Sequence, residues 1–126
     1  MKIFLKAIVP VIVATIWISV SEFVRNQFIL ISFWLEYYKN KGLIFPMEPI
    51  NGAIWGIWSL IYAIIIFIIA KKFSLLQTFI LSWVLGFVLM WIVIGNLGVL
   101  PIKILPFAIP LSLLEAFLAS IIIKKM

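Results

Sequence analysis

The chain has no cysteine and no histidine, and aspartate is missing too, so its acidic side chains are four glutamates. Without cysteine there are no disulfides, thiolate metal sites or cysteine nucleophiles. Without histidine, imidazole ligation of haem, zinc sites of the usual kind and serine–histidine chemistry fall away. No metal, cofactor or catalytic residue is therefore expected, and any acid chemistry has to come from Glu22, Glu36, Glu48 or Glu115. Charge of either sign is scarce. Only 11% of the 126 residues are charged, 67% are hydrophobic and the mean hydropathy is +1.34. Soluble domains run near 25% charged and about 45–50% apolar, so the chain reads as an integral membrane protein, a single transmembrane domain over residues 1–126. The net charge of +6 comes from nine lysines and Arg25, scattered at the ends of apolar runs. With no continuous basic face, nucleic acid is not an expected partner; the lipid bilayer is.

What fills the chain is four apolar runs of spanning length, about 3–24, 51–70, 75–94 and 106–123. Each suits a bilayer core roughly 30 Å thick. The expected fold is all-α, four transmembrane helices in an antiparallel bundle. The first run begins with lysines and contains Ser19-Val20-Ser21, a small-x-small pattern that also marks leader cleavage sites. Pro10 interrupts its core, and Trp17-Ile18 leave no polar stretch before that pattern, so it is read as a retained helix. Between the first two runs lie Gln27–Tyr38, apolar and aromatic but too short to span, and Leu43–Ile50, broken by two prolines. The former is expected to be an extra interfacial helix over about 27–38 in the long first loop.

Helical spacing sorts the polar and small residues onto faces. In the first span Thr15, Ser19, Glu22 and Asn26 share a face, with Arg25 beside Glu22. In the second, Gly52, Gly56, Ser59 and Ala63 form a small-residue stripe containing a GxxxG, which suits close helix packing within the chain or against a partner. Trp55, Trp58 and Tyr62 occupy the neighbouring stripe. The third span carries Thr78, Ser82 and Gly86 on one face and Trp83, Phe87 and Trp91 on the next. The fourth places Ala108, Ser112, Glu115 and Ala119 together.

Glu115 is nine residues from Pro106 and nine from Lys124, near the middle of the bilayer. An ionised side chain there costs roughly 2.5–3.5 kcal/mol on insertion scales. Either it is protonated and donates a hydrogen bond, with Ser112, Ser59 or Tyr62 as partner, or it faces a wet cavity and binds a proton or cation. The candidate substrate or ion site comprises Glu115, Ser112, Ser59 and Tyr62. An outer layer of Glu22, Arg25 and Asn26 under Trp55, Trp58 and Trp91 completes it. Gly52, Gly56 and Ala63 are the candidate packing residues.

Lysine and arginine counting sets the orientation. Lys2, Lys6, Lys71, Lys72, Lys124 and Lys125 fall on one side; Arg25, Lys39, Lys41 and Lys103 fall on the other. Both termini are expected in the cytoplasm of a bacterial or archaeal inner membrane. Three function classes follow. The first is a transporter or channel for a small cationic or amphipathic substrate, with Glu115 as proton or cation site and a homodimer to enlarge the enclosed volume. The second is a non-catalytic assembly subunit that binds another membrane protein through the glycine stripe. The third, least expected, is an intramembrane enzyme on a lipid or isoprenoid, using glutamates at the outer surface.

Overall fold

A computed structural model describes residues 2–126; the Lys2 side chain, counted above in the charge balance, lies outside what is described. The described chain is helical, without strands. Helix α1 (Lys2–Val24) runs straight into a π turn, Arg25–Ile29. A short helix α2 (Ile31–Asn40) follows, then α3 (Pro49–Ala70) and α4 (Leu75–Asn96), which has its own π turn at Val84–Val88. A 3-10 turn, Ile102–Ile104, leads into α5 (Leu105–Lys125). Four of the helical segments are long and apolar enough to cross a membrane: Ile3–Ile29, Pro49–Ala70, Leu75–Asn96 and Ile102–Lys125. The protein is a multi-pass membrane protein. Its outer faces carry exposed isoleucine, leucine and phenylalanine, as hydrocarbon contact requires.

Helix ends follow local chemistry. Pro49 opens α3 at the first helical position, and Asn51, two residues further in, accepts the Glu48 N–H on Oδ1 at 3.0 Å. Ser74 caps α4, accepting the Gln77 N–H while Gln77 Oε1 accepts the Ser74 N–H. Lys124 closes α3 from another helix, donating to the carbonyls of Ala70 (3.0 Å) and Phe73 (2.9 Å). Gly98 takes φ +76° in the turn after α4, a conformation glycine adopts without penalty, and its carbonyl accepts Tyr37 Oη at 2.8 Å. That bond ties α2 to the far end of the bundle.

Helix α5 is the hub: it packs on α1, α3 and α4, while α3 also packs on α1 and α4. Small residues make this centrality achievable. Ala108, Ser112, Ala116, Ala119 and Ser120 of α5 are all buried, so neighbouring backbones approach closely. The main core joins Ala14 and Ile18 of α1, Tyr62, Ala63 and Ile66 of α3, Phe87 of α4, and Ala119 and Ile123 of α5. A second core at the other end collects Leu30, Leu100, Ile104 and Ala108 under Phe33 and Trp34. Glu115 lies between them.

Candidate functional site

The first π turn determines what α1 presents. Its wider winding carries Arg25 and Asn26 inward together with Glu22, although an α-helix would spread 22, 25 and 26 over a broader arc. All three are buried, and Glu115 has no exposed surface at all. Arg25 forks between two carboxylates from two helices. Its Nη2 lies 2.6 Å from Glu22 Oε2, and its Nη1 donates to Glu115 Oε1 at 3.2 Å. Asn26 Nδ2 donates to the Glu22 carboxylate (3.2 Å) and to the Glu22 carbonyl (3.1 Å). Trp34 of α2 donates from Nε1 to Asn26 Oδ1 at 3.1 Å. Trp17 donates to the Glu115 carbonyl at 3.0 Å. The guanidinium carbon stands 5.1 Å from the centre of the Phe87 ring, a cation–π distance, and Phe87 belongs to the second π turn. Both π turns thus border one charged centre, which holds two acids and one base.

Above it opens a cavity of about 600 Å³. Glu22, Arg25 and Asn26 form its base; Trp34, Tyr38, Phe45, Trp55, Trp58 and Trp91 form aromatic walls; Glu48 and Asn51 sit near its mouth. Phe45 stacks on Trp34 and meets Tyr38 edge-on, so the irregular first loop closes one side through aromatic contact. Glu115 does not line this cavity: Arg25 stands between them. A second, largely apolar groove of about 340 Å³ runs between α1 and α3 past Ser19, Val20, Gly56 and Ser59, sharing Glu22, Phe23, Gly52 and Trp55 with the first.

The structure thus brings Glu22, Arg25, Asn26, Trp55, Trp58 and Trp91 to one cavity and places Glu115 beneath them. It separates the partners the spacing suggested for Glu115. Ser112 Oγ accepts Trp83 Nε1 (3.0 Å) and donates to the Ile109 carbonyl (2.9 Å). Ser59 donates to its own helix at Trp55 (3.0 Å), and Tyr62 Oη donates to the Ser82 carbonyl of α4 (2.6 Å). None of these bonds reaches Glu115; its partner is Arg25. Short hydroxyls in helices bond back to the preceding turn, which satisfies them without a ligand.

The glycine stripe divides. Ser59 and Ala63 are fully buried in the core, but Gly52 is exposed and Gly56 half-buried, and a Cβ at either glycine would meet nothing within 4 Å. Close approach happens instead at Gly86, where a Cβ would lie 2.6 Å from the Tyr62 ring. Sequence reasoning placed Trp34, Tyr37 and Tyr38 at the headgroups and left Phe87 in a generic aromatic stripe. Trp34 and Tyr38 line the cavity, Tyr37 anchors α2, and Phe87 faces the guanidinium. The 3-4 spacing of Trp83, Phe87 and Trp91 was the available signal for Phe87. Nothing in the sequence marks a π turn at Arg25. No protein-family model matches the chain, and no curated protein or solved structure matches it.

Proposed function

We propose that the protein is a small transporter or channel for a small cationic or amphipathic substrate, bound in the aromatic cavity above the Glu22–Arg25–Glu115 centre. In this reading the four long helices form one antiparallel transmembrane domain, and α2 lies at the membrane interface. One observation carries the reading: the cavity combines six aromatic side chains with a charged lining of two carboxylates, Glu22 and Glu48, against one guanidinium. Aromatic faces and an excess of carboxylate both attract a cation, and stacked indoles accept its apolar body. Below the charged centre the main core closes the bundle with Ile18, Ala63, Ile66 and Phe87, none of which is exposed. The cavity therefore opens toward one end only, the end of the first loop. Charge counting makes that end the outer one: with Arg25 buried in the centre, six lysines face three across the bundle.

The test is binding and flux in proteoliposomes. Tetraphenylphosphonium should quench tryptophan fluorescence saturably, and Trp58→Ala should weaken that binding about tenfold, a loss of about 1.4 kcal/mol. The isosteric anion tetraphenylborate should give no saturable component. Equal response to the two ions, or cation flux and stability both unchanged in Glu115→Gln, would sink the reading.

The assembly-subunit reading retains one supporting observation, the open face at Gly52 and Gly56. A partner helix is about 10 Å across, and the free face ends one turn later at buried Ser59 and Ala63. That is little length for a stable helix contact, so the substrate reading stands ahead of it. The enzyme reading has less support: both oxygens of the hydrogen-bonded pair that would act, Glu22 with Arg25, are held in structural bonds to Asn26 and each other rather than turned toward the cavity mouth.

A further inference from the structure

The charged centre has a surplus acid. Glu22 and Glu115 occupy the two terminal nitrogens of a single guanidinium, so their carboxyl groups are held side by side, within hydrogen-bonding reach of one another. Each keeps one oxygen, Glu22 Oε1 and Glu115 Oε2, that is buried and has no hydrogen-bond partner among the described residues. Ser21 is close to Glu115 but makes no hydrogen bond to it. The other groups facing the centre are the Tyr62 hydroxyl of α3, engaged with Ser82, the Asn26 amide, engaged with Glu22, and the Phe87 ring of α4. None supplies a second positive charge.

Two buried oxygens without partners, beside one another, need something between them. Neither has room: each exposes less than 1 Å² of surface, so neither a water molecule nor a metal ion fits against them. A proton needs no such room. We infer that Glu22 and Glu115 form a carboxyl–carboxylate pair bridged by one proton, and that this pair, rather than Glu115 alone, is the proton site of the protein. One proton turns an anionic cluster into a neutral one and satisfies both oxygens with a single O–H···O bond. Glu22 also lines the cavity, so a cation arriving there meets one end of the pair. One positive charge entering the cavity then releases one proton from the pair to the cavity side, with charge conserved.

This rests on the substrate reading only for its coupling to a ligand; the resting proton can be tested without one. The chain has four carboxylic side chains, which makes infrared spectroscopy of the full-length protein in liposomes unusually clean. At neutral pH, protein labelled with ¹³C in its glutamate carboxyls should show the carbonyl stretch of one protonated acid. Glu115→Gln and Glu22→Gln should each remove it, because one remaining acid then matches one guanidinium. Glu36→Gln, on the exposed face of α2, should leave it intact. Absence of the band in the wild type, or its survival in both variants, would overturn the inference. Should either glutamine variant fail to fold, the wild-type band alone decides: it must be present at neutral pH, amount to one carboxyl of four, and shift in heavy water. If the band behaves as expected but tetraphenylphosphonium does not displace it, the shared proton stands and the substrate reading falls.

Discussion

Arg25 is one of ten cationic side chains and the one that entered the bundle. Its position is explained by what it offers: a planar fork whose two terminal nitrogens can each hold a carboxylate, which an ammonium cannot do in fixed geometry. Removing it would leave two buried acids with no counter-charge. Arg25→Ala should destabilise the folded protein by about 3–5 kcal/mol, measured by denaturant unfolding in mild detergent. Glu115→Gln should cost clearly less, because Glu22 still pairs with the guanidinium. The double variant Arg25→Ala/Glu115→Gln should be more stable than Arg25→Ala alone, since only one unpaired acid remains. Additive losses in that cycle would show that Arg25 and Glu115 do not interact in the membrane-embedded protein. From the sequence, Glu115 was conspicuous as a lone acid in an apolar run. Its partner was not, because Arg25 sits 90 positions earlier in what reads as a water-boundary pair with Glu22.

At the scale of elements, glycine shows what spacing can and cannot say. Gly52 and Gly56 have the familiar four-residue spacing, yet nothing lies against them; Gly86 has no such neighbour in sequence and bears the tightest contact, against Tyr62. The two kinds of site answer differently to alanine. Gly86→Ala should destabilise by about 1–3 kcal/mol through overpacking, whereas Gly52→Ala and Gly56→Ala should be neutral or stabilising by up to about 1 kcal/mol through helix propensity. Thermal unfolding of the three variants separates the cases, and a destabilised Gly56→Ala would reveal a contact absent from the single chain. The π turns teach a related lesson. An extra residue in a helical turn rotates everything after it, and at Arg25–Ile29 that rotation brings Arg25 and Asn26 to the interior. No residue preference signals it; the packing of Leu30 into the second core and the pairing of Arg25 hold it in place.

For the whole molecule, the expectation is a body with charged lysine ends, apolar sides and one aromatic cavity near the first loop. The absence of cysteine makes the threading simple to check, because any thiol introduced is the only one. Lys41→Cys and Lys103→Cys should react with a membrane-impermeant maleimide from the outer face of intact cells. Lys72→Cys should react only after the membrane is permeabilised. All three reacting from one side would overturn both the antiparallel threading and the orientation. The same scale explains why the site needs so many helices. Glu22 and Arg25 come from the first, Glu115 from the last, Phe87 from the fourth and Trp55 and Trp58 from the third.

The sequence by itself determined the membrane as solvent, the helical class, four apolar runs of spanning length, and an acid at the centre of the last one. These follow from length, hydropathy and the requirement that every backbone polar group in hydrocarbon be satisfied within its own helix. Which groups meet across helices was decided by tertiary structure. Spacing along one helix specifies a face, but not the rotation or depth at which another helix presents its own. Glu115 therefore exchanged its expected serine and tyrosine partners for Arg25, delivered by a turn of non-standard pitch. Burial without a second cation then made a pair of glutamates, and not one alone, the chemically unusual feature of the protein.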